Sequence, residues 1–416
     1  MHDTEKHMNW SRLLSLGALV ILCLVLLTPV AQGQAETTTY KTYEAYKATV
    51  GARSFISSNR RNPRLLTDAQ FAGRLDAGTT LIGIYYGNQG WQLAQVRDME
   101  SWQGKAFAVL SVITNWCDSQ EAMDRLFAAQ LVNIWDNHNV PLISWEPNLC
   151  SEGQTPGDVE VRAAQGRYDR YIETWADRLK IFLSGPDGVF GSRDDRRAYL
   201  RMAHEMNGDW YRWGAPMGRN RPADYIAMWK RVRGIFDAKG LDPTHVQWMW
   251  CVNHTDNGGF AAEAYYPGDE YVDWVAIDGY NWGETESWSD WTPPPGVYDA
   301  MIRRLRALTG KPLAIPEYAT TSVTASGPDV GAKSQWIADA HAYVLAGDIR
   351  MVVWFNEDKE TDWMVFGGSS GDGAYVGDGV YRPSSLAERF PVWQIAGAVL
   401  LVTFIMAEAV FVVRLL

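Results

Sequence analysis

Two carboxyl groups stand at places where a folded chain could use them. Glu205 lies in "RMAHEMNGDWYRWG" (201–214), directly after His204 and just before Trp210, Tyr211 and Trp213; Glu317 lies in "PLAIPEYAT" (312–320). Each follows a short apolar run rich in strand-forming residues, so each is expected just beyond the carboxyl end of a strand. Paired carboxyls can hydrolyse a glycosidic bond. With retention, one attacks the anomeric carbon and the other protonates the departing oxygen across about 5–5.5 Å; inversion needs a wider gap of about 6.5–9.5 Å to admit water. The acid must hold its proton at neutral pH, which aromatic enclosure and a neighbouring anion would favour, while the nucleophile must stay ionised. This chemistry requires no cofactor.

The elements that must position this pair are legible as alternation. Eight candidate strands span 81–86, 106–113, 140–145, 198–204, 245–250, 272–280, 312–317 and 349–355, and helical patterns separate most of them, among them 119–138, 166–183, 222–240, 297–308 and 334–347. Eight strands with intervening helices predict an α/β fold, a single (β/α)8 barrel, in which functional residues gather at the carboxyl ends of the strands. No GxGxxG follows the first strand, which removes the usual dinucleotide reading. Arg201 and Met202 precede the chemistry and are read as barrel residues. Asp278 stands two positions before Tyr280 on the sixth strand, so the two share a face; Asp278 is read as a buried hydrogen-bonding residue beneath the tyrosine.

Four stretches, "HEMNGDWYRWG", "YYPGDEYVDWVAIDGYNWG" (265–283), "KPLAIPEYAT" (311–320) and "VVWFN" (352–356), occur in order at strand ends. Together they resemble glycoside hydrolase family 26, which includes endo-β-1,4-mannanases, mixed-linkage β-glucanases and β-1,3-xylanases, over roughly residues 80 to 356. The resemblance implies a retaining mechanism with Glu205 as acid/base and Glu317 as nucleophile. It implies that His204 stands beside the acid/base, that Tyr280 hydrogen-bonds near the nucleophile, that Trp354 floors the sugar and that Trp210 is an aromatic near the acid/base. Asn115, Trp116, Trp145, Glu146, Trp213 and Trp282 are further strand-end residues expected to line a groove or to brace its loops.

Composition supports a sugar partner. The 416 residues carry a net charge of -11, 20 tryptophans and 19 tyrosines. An acidic chain does not suit a diffuse nucleic-acid surface, whereas aromatic rings match the apolar faces of neutral sugars. The pairs Asp194–Asp195 and Asp269–Glu270 lack an EF-hand pattern and are read as solvated loop charges. Cys117, Cys150 and Cys251 leave two readings open: one pair, such as Cys117 with Cys150, or three unpaired thiols.

The ends of the chain are expected to meet a membrane. Residues 1–35 read as a signal peptide or a signal-anchor, and residues 392–413 as a transmembrane helix. Residues 36–390 then form the catalytic domain, with an extension that includes a helix near 40–56. The expected enzyme is a membrane-anchored, extracytoplasmic endo-β-glycanase, periplasmic or at the cell surface. β-1,4-Mannan is its first expected substrate. The alternatives are a mixed-linkage β-1,3/1,4-glucanase, an enzyme processing a self-made exopolysaccharide beside its synthesis or export machinery, or a noncatalytic polysaccharide-binding scaffold.

Overall fold

The computed structural model describes residues 66–370, apart from 77–78, 88–89, 92, 104 and 151–153. Eight parallel strands close into a barrel: β1 Leu81–Tyr85, β2 Val109–Asn115, β3 Val140–Glu146, β4 Ala198–Met202, β5 Val246–Asn253, β6 Trp274–Asn281, β7 Leu313–Thr320 and β8 Met351–Phe355. They are the eight expected from sequence. β1 closes the ring against β8 in register from Leu81↔Met351 to Tyr85↔Phe355. Helices fill the crossovers, including Asp169–Leu183, Pro222–Ala238, Pro294–Leu308 and Val330–Ala346. The helix expected over 119–138 contains a wider turn at Leu126–Gln130. Three helices, Asp68–Phe71, Leu93–Gln103 and Val159–Ala164, lie outside the expected helical patterns.

Successive strand residues point to opposite sides, so the barrel has two cores. Val140, Leu142, Tyr199, Met249, Trp274 and Val353 pack inside it. Phe71 plugs the end where the strands begin, with its ring 4.7 Å from that of Tyr199. The intervening residues, among them Leu200, Met202, Val252 and Ile277, pack under the helices. Strand side chains are therefore committed either to the interior and the mouth above it or to the helix layer.

The membrane part of the expected fold is corrected. Among the described residues no helix is long and apolar enough to cross a membrane. Pro222–Ala238 and Val330–Ala346 have 17 residues each, about 26 Å at ~1.5 Å per residue. Charged residues such as Lys230, Arg231 and Arg233 interrupt the first and Lys333 the second. The expected transmembrane helix, membrane partner and membrane-anchored extracytoplasmic location thus find no support among the described residues. Segments 1–35, 40–56 and 392–413, where the signal, the preceding helix and the anchor were expected, lie outside the described residues.

Candidate active site

The site grows from a conflict in β4. Arg201 sits inside a strand that is wholly buried, and its guanidinium has no exposure. A buried charge must find partners, and Arg201 finds three oxygen acceptors. Nε donates to Ser144 Oγ at 2.9 Å, Nη1 to Asp278 Oδ2 at 2.6 Å, and Nη2 to Glu317 Oε1. β3, β6 and β7 are thus joined through one side chain of β4.

Glu317 reaches this position because β7 is irregular. Ala276 pairs with Ala314, but Gly279 pairs with Tyr318, so β7 has gained one residue against β6; a matching shift occurs against β8. Pro316, which has no N–H to give the ladder, lies in the interval. With uninterrupted alternation Glu317 would share the outward face of Ile315. The bulge turns it to the inside, beside Asp278, as bulges near active sites commonly do.

After β4 the backbone adopts positive φ at Ala203 (47°) and Glu205 (55°). Left-handed backbone costs non-glycine residues about 1–2 kcal/mol each, so the turn must be held from outside. Ala203 N–H donates to Trp145 O at 3.1 Å and Glu205 N–H to Cys251 O at 2.9 Å. The Tyr225 hydroxyl donates to Ala203 O at 3.2 Å, and the Trp213 indole to His204 O at 2.7 Å. Asn207, fully buried, donates to Asn253 O and Asp256 Oδ1, both at 2.9 Å, and so ties the turn to the loop after β5. A Cβ on Gly208 would come within 2.6 Å of the Trp210 ring. Glycine there lets Trp210 fold back and donate its indole N–H to Glu205 Oε2 at 2.9 Å.

The two carboxyls occupy opposite electrostatic environments. Glu205 is 8% exposed; burial, then the negative charges of Asp278 and Glu317, push its pKa well above the usual carboxylate range. Burial also works against ionisation of Glu317, but the Arg201 guanidinium and the Tyr280 hydroxyl, 2.7 Å from Oε2, outweigh it and hold its pKa below the ordinary value. Near neutrality this pair therefore comprises one protonated and one ionised carboxyl, while burial pushes Asp278, the other partner of Arg201, up to about 7. His204, almost fully buried, is pushed down to about 3 by burial and then by Arg201, so its imidazole is neutral; Nε2 lies 3.2 Å from the Tyr211 hydroxyl. Glu146, at the end of β3, is pushed up to about 7, first by burial and then by Glu317.

One ligand atom each from His204, Asp278 and Glu317 lies within 4.8 Å of the others, a spacing that would suit a small cation. Arg201 already bonds both carboxylates and supplies the positive charge at that point.

The remaining expected residues separate by strand face. Tyr280 stands at the mouth beside Glu317, and Trp282 packs against Trp363 at 4.9 Å. Trp145 is fully buried, stacked on Trp175 at 4.2 Å in the helix layer, and Trp116 is buried against Trp145 and Tyr168. Trp213 stacks on Tyr211 at 4.1 Å, beneath His204. Asn115 braces its own loop: Oδ1 accepts from Cys117 N–H at 3.0 Å, and its carbonyl from the Tyr171 hydroxyl at 2.9 Å. Trp354 is fully buried on the outer face against Tyr318; the next residue, Phe355, is the one whose ring faces Tyr280, at 5.9 Å. Cys117 and Cys150 form a disulfide between the loops after β2 and β3, and Cys251 is a buried free thiol.

Arg201 and Asn207 were not recognised as parts of the site. A basic residue inside an apolar strand, which must be paired, was the signal for the first; nothing in the sequence marked the second.

Comparison with known proteins identifies relatives of this chain. The model for glycosyl hydrolase family 26 matches residues 197–303, which contain β4, His204–Glu205 and β6. Endoglucanase H of Acetivibrio thermocellus is 31% identical over 328 residues, covering 77% of this chain and 33% of that protein. The chain belongs to glycosyl hydrolase family 26. A second relative, the mannan endo-1,4-beta-mannosidase of Bacillus subtilis, is 25% identical over 210 residues, 47% of this chain and 56% of that protein. The chain thus spans about a third of the first relative's length and just over half of the second's. The catalytic domain of the Bacillus sp. JAMB-750 endo-beta-1,4-mannanase superposes with a TM-score of 0.55 at 19% identity, covering 79% of this chain and 92% of that one, a likeness of fold.

Proposed function

We propose that this barrel is a retaining endo-β-glycanase in which Glu205 is the acid/base and Glu317 the nucleophile. The observation that carries the reading is the unequal surroundings of two buried carboxyls: Glu317 is bonded by the Arg201 guanidinium and the Tyr280 hydroxyl, Glu205 by the neutral Trp210 indole alone. Glu317 attacks the anomeric carbon while Glu205 gives its proton to the departing oxygen. Once Glu317 is esterified its negative charge is gone, so Glu205 ionises more easily and can take a proton from the incoming water. The Trp210 indole stabilises the carboxylate formed at Glu205, and Tyr280 steadies Glu317 in both states.

The proposed substrate is β-1,4-mannan, in line with the activity named for the Bacillus subtilis relative. A mixed-linkage or other β-glucan is the second reading, favoured by the 31% identity to an endoglucanase. Reducing-end release from mannan, lichenan, β-1,3-xylan and β-1,4-glucan distinguishes them. Glu205→Gln is expected to lower turnover of polysaccharide by ~10²–10⁴-fold while largely sparing the first step on aryl glycosides with good leaving groups. Normal polysaccharide turnover by that variant removes the acid/base assignment. Binding without products from any polymer in the wild-type protein would make the barrel a noncatalytic sugar-binding module.

A further inference from the structure

A line of aromatic rings leads away from Glu317. The Tyr280 hydroxyl donates to Glu317, and the Tyr280 ring lies 5.2 Å from that of Trp363. Trp363 meets Trp282 edge to face at 4.9 Å, and Trp282 meets Trp288 at 5.3 Å. Trp363 is buried and Trp282 half-buried, but Trp288 is 68% exposed. A single exposed apolar side chain is ordinary on a protein surface. This one terminates a continuous aromatic path from the proposed nucleophile, and its ring is tilted 58° to that of Trp282, so its neighbour does not cover it face to face.

The loop that carries Trp288 also limits what can lie there. Glu284, Glu286 and Asp290 are exposed around it, with no basic residue between Gly283 and Trp291. An anionic polymer would be repelled at that tip. A neutral pyranose, with an apolar ring face and a hydroxyl rim, would place its face on the indole and leave its rim in water.

We infer that Trp288 is the outer platform of a distal subsite for a neutral β-linked sugar, on the Glu317 side of the cleavage point. The inference rests on the proposed glycanase activity. A sugar there contributes binding far from the reacting bond, fixing the register in which a long chain lies and therefore which bond is cut.

The test is kinetics on oligosaccharides of three to six units from whichever polymer the wild-type protein cleaves, with Trp288→Ala and Trp288→Phe. For Trp288→Ala, KM on the hexasaccharide is expected to rise ~10-fold, as for loss of one apolar ring face, with a smaller change on the trisaccharide. The cleavage position in a hexasaccharide reduced at its end is expected to move. Trp288→Phe should recover part of both effects. A hexasaccharide KM and cleavage position equal to wild type in Trp288→Ala overturn the subsite, as does a folded Trp288→Phe variant no better than Trp288→Ala. Affinity electrophoresis through soluble glucomannan and β-glucan needs binding and no turnover, so it stands apart from the glycanase reading. Weaker retardation of Trp288→Ala than of wild type supports the platform even in a barrel without turnover, and equal retardation overturns it.

Discussion

Replacing Arg201 by methionine tests the electrostatic account most severely. The guanidinium is wholly buried and bonds two carboxylates, Asp278 and Glu317, with exposures of 0% and 9%. Removing it leaves two buried carboxyls without a counter-charge, Asp278 already pushed up to about 7 by burial, and breaking a buried pair usually destabilises by ~3–5 kcal/mol. Against a total of about 5–15 kcal/mol for a folded domain, the variant stays folded but melts at clearly lower urea. The pH dependence carries the mechanistic content. In the wild-type protein Glu317 ionises below its ordinary value of 4.5, so the stability it contributes is complete above that value and disappears as pH falls through the depressed one. Without Arg201, burial is opposed chiefly by the Tyr280 hydroxyl and raises the Glu317 pKa. The acid limb of kcat/KM then moves to higher pH, and activity at neutral pH falls by ~10²-fold or more, as for loss of most of the ionised nucleophile together with its alignment.

The double variant Arg201→Met with Asp278→Asn separates charge from shape. It leaves one buried carboxyl without a partner where the single variant leaves two, so it should recover ~1 kcal/mol or more of the lost stability through coupling between contacting residues. Urea melts and pH–rate profiles of wild type and both variants provide the test. An acid limb that stays in place in folded Arg201→Met protein would refute the claim that Arg201 holds Glu317 ionised.

Removing the Tyr280 hydroxyl with Tyr280→Phe deletes its 2.7 Å bond to Glu317; a bond to a charged group is worth ~1.5–3 kcal/mol, so kcat/KM should drop ~10–100-fold, with an acid limb displaced upward by less than in Arg201→Met. Trp210→Phe takes away the donor that favours ionised Glu205, so the basic limb of the profile is expected to move to higher pH and kcat to fall on substrates whose deglycosylation is slow. The Cys117–Cys150 disulfide spans 33 residues, and opening it by Cys117→Ser with Cys150→Ser should cost ~3–4 kcal/mol on the loop-entropy estimate, read from urea melts with and without reductant.

The barrel was legible because strands buried on both faces form short apolar runs that helices interrupt. The position of Glu205 followed from its place just after β4, whereas Glu317 lies within β7, which continues to Thr320. What escaped was the face each side chain takes. Trp354 was expected to floor the sugar and Trp145 to line the groove or brace its loops, and in the observed register both share the outward sides of β8 and β3 with residues that pack under helices. Alternation alone would have paired Trp354 with Val352 on one face and Phe355 with Val353 on the other; it could not say which face was inside until one residue per strand was anchored. On β7 even an anchor would have misled, because counting from Ala314 puts Glu317 outside and only the added residue beside Pro316 brings it in. Leu93–Gln103, "LAQVRDMESWQ", was missed because its apolar positions form a weak stripe.

The unequal behaviour of the two glutamates follows from geometry on both sides of the barrel axis. Both are buried, so burial alone would raise the pKa of both and leave no nucleophile at neutral pH. One cation breaks the tie. Arg201 lies on β4, the strand that leads into Glu205, yet its guanidinium extends across the interior to β6 and β7 and bonds Glu317. Glu205 lies beyond the left-handed turn that follows β4, and its oxygen is met by the neutral indole of Trp210. An indole N–H can steady a carboxylate without forcing ionisation before the reaction, whereas a guanidinium in direct contact would hold the group ionised and remove the acid. The turn at Ala203–Glu205 therefore does more than expose a side chain. It separates Glu205 from the arginine four residues before it, and that separation allows one strand to supply both the charge for the nucleophile and the proton for the leaving group.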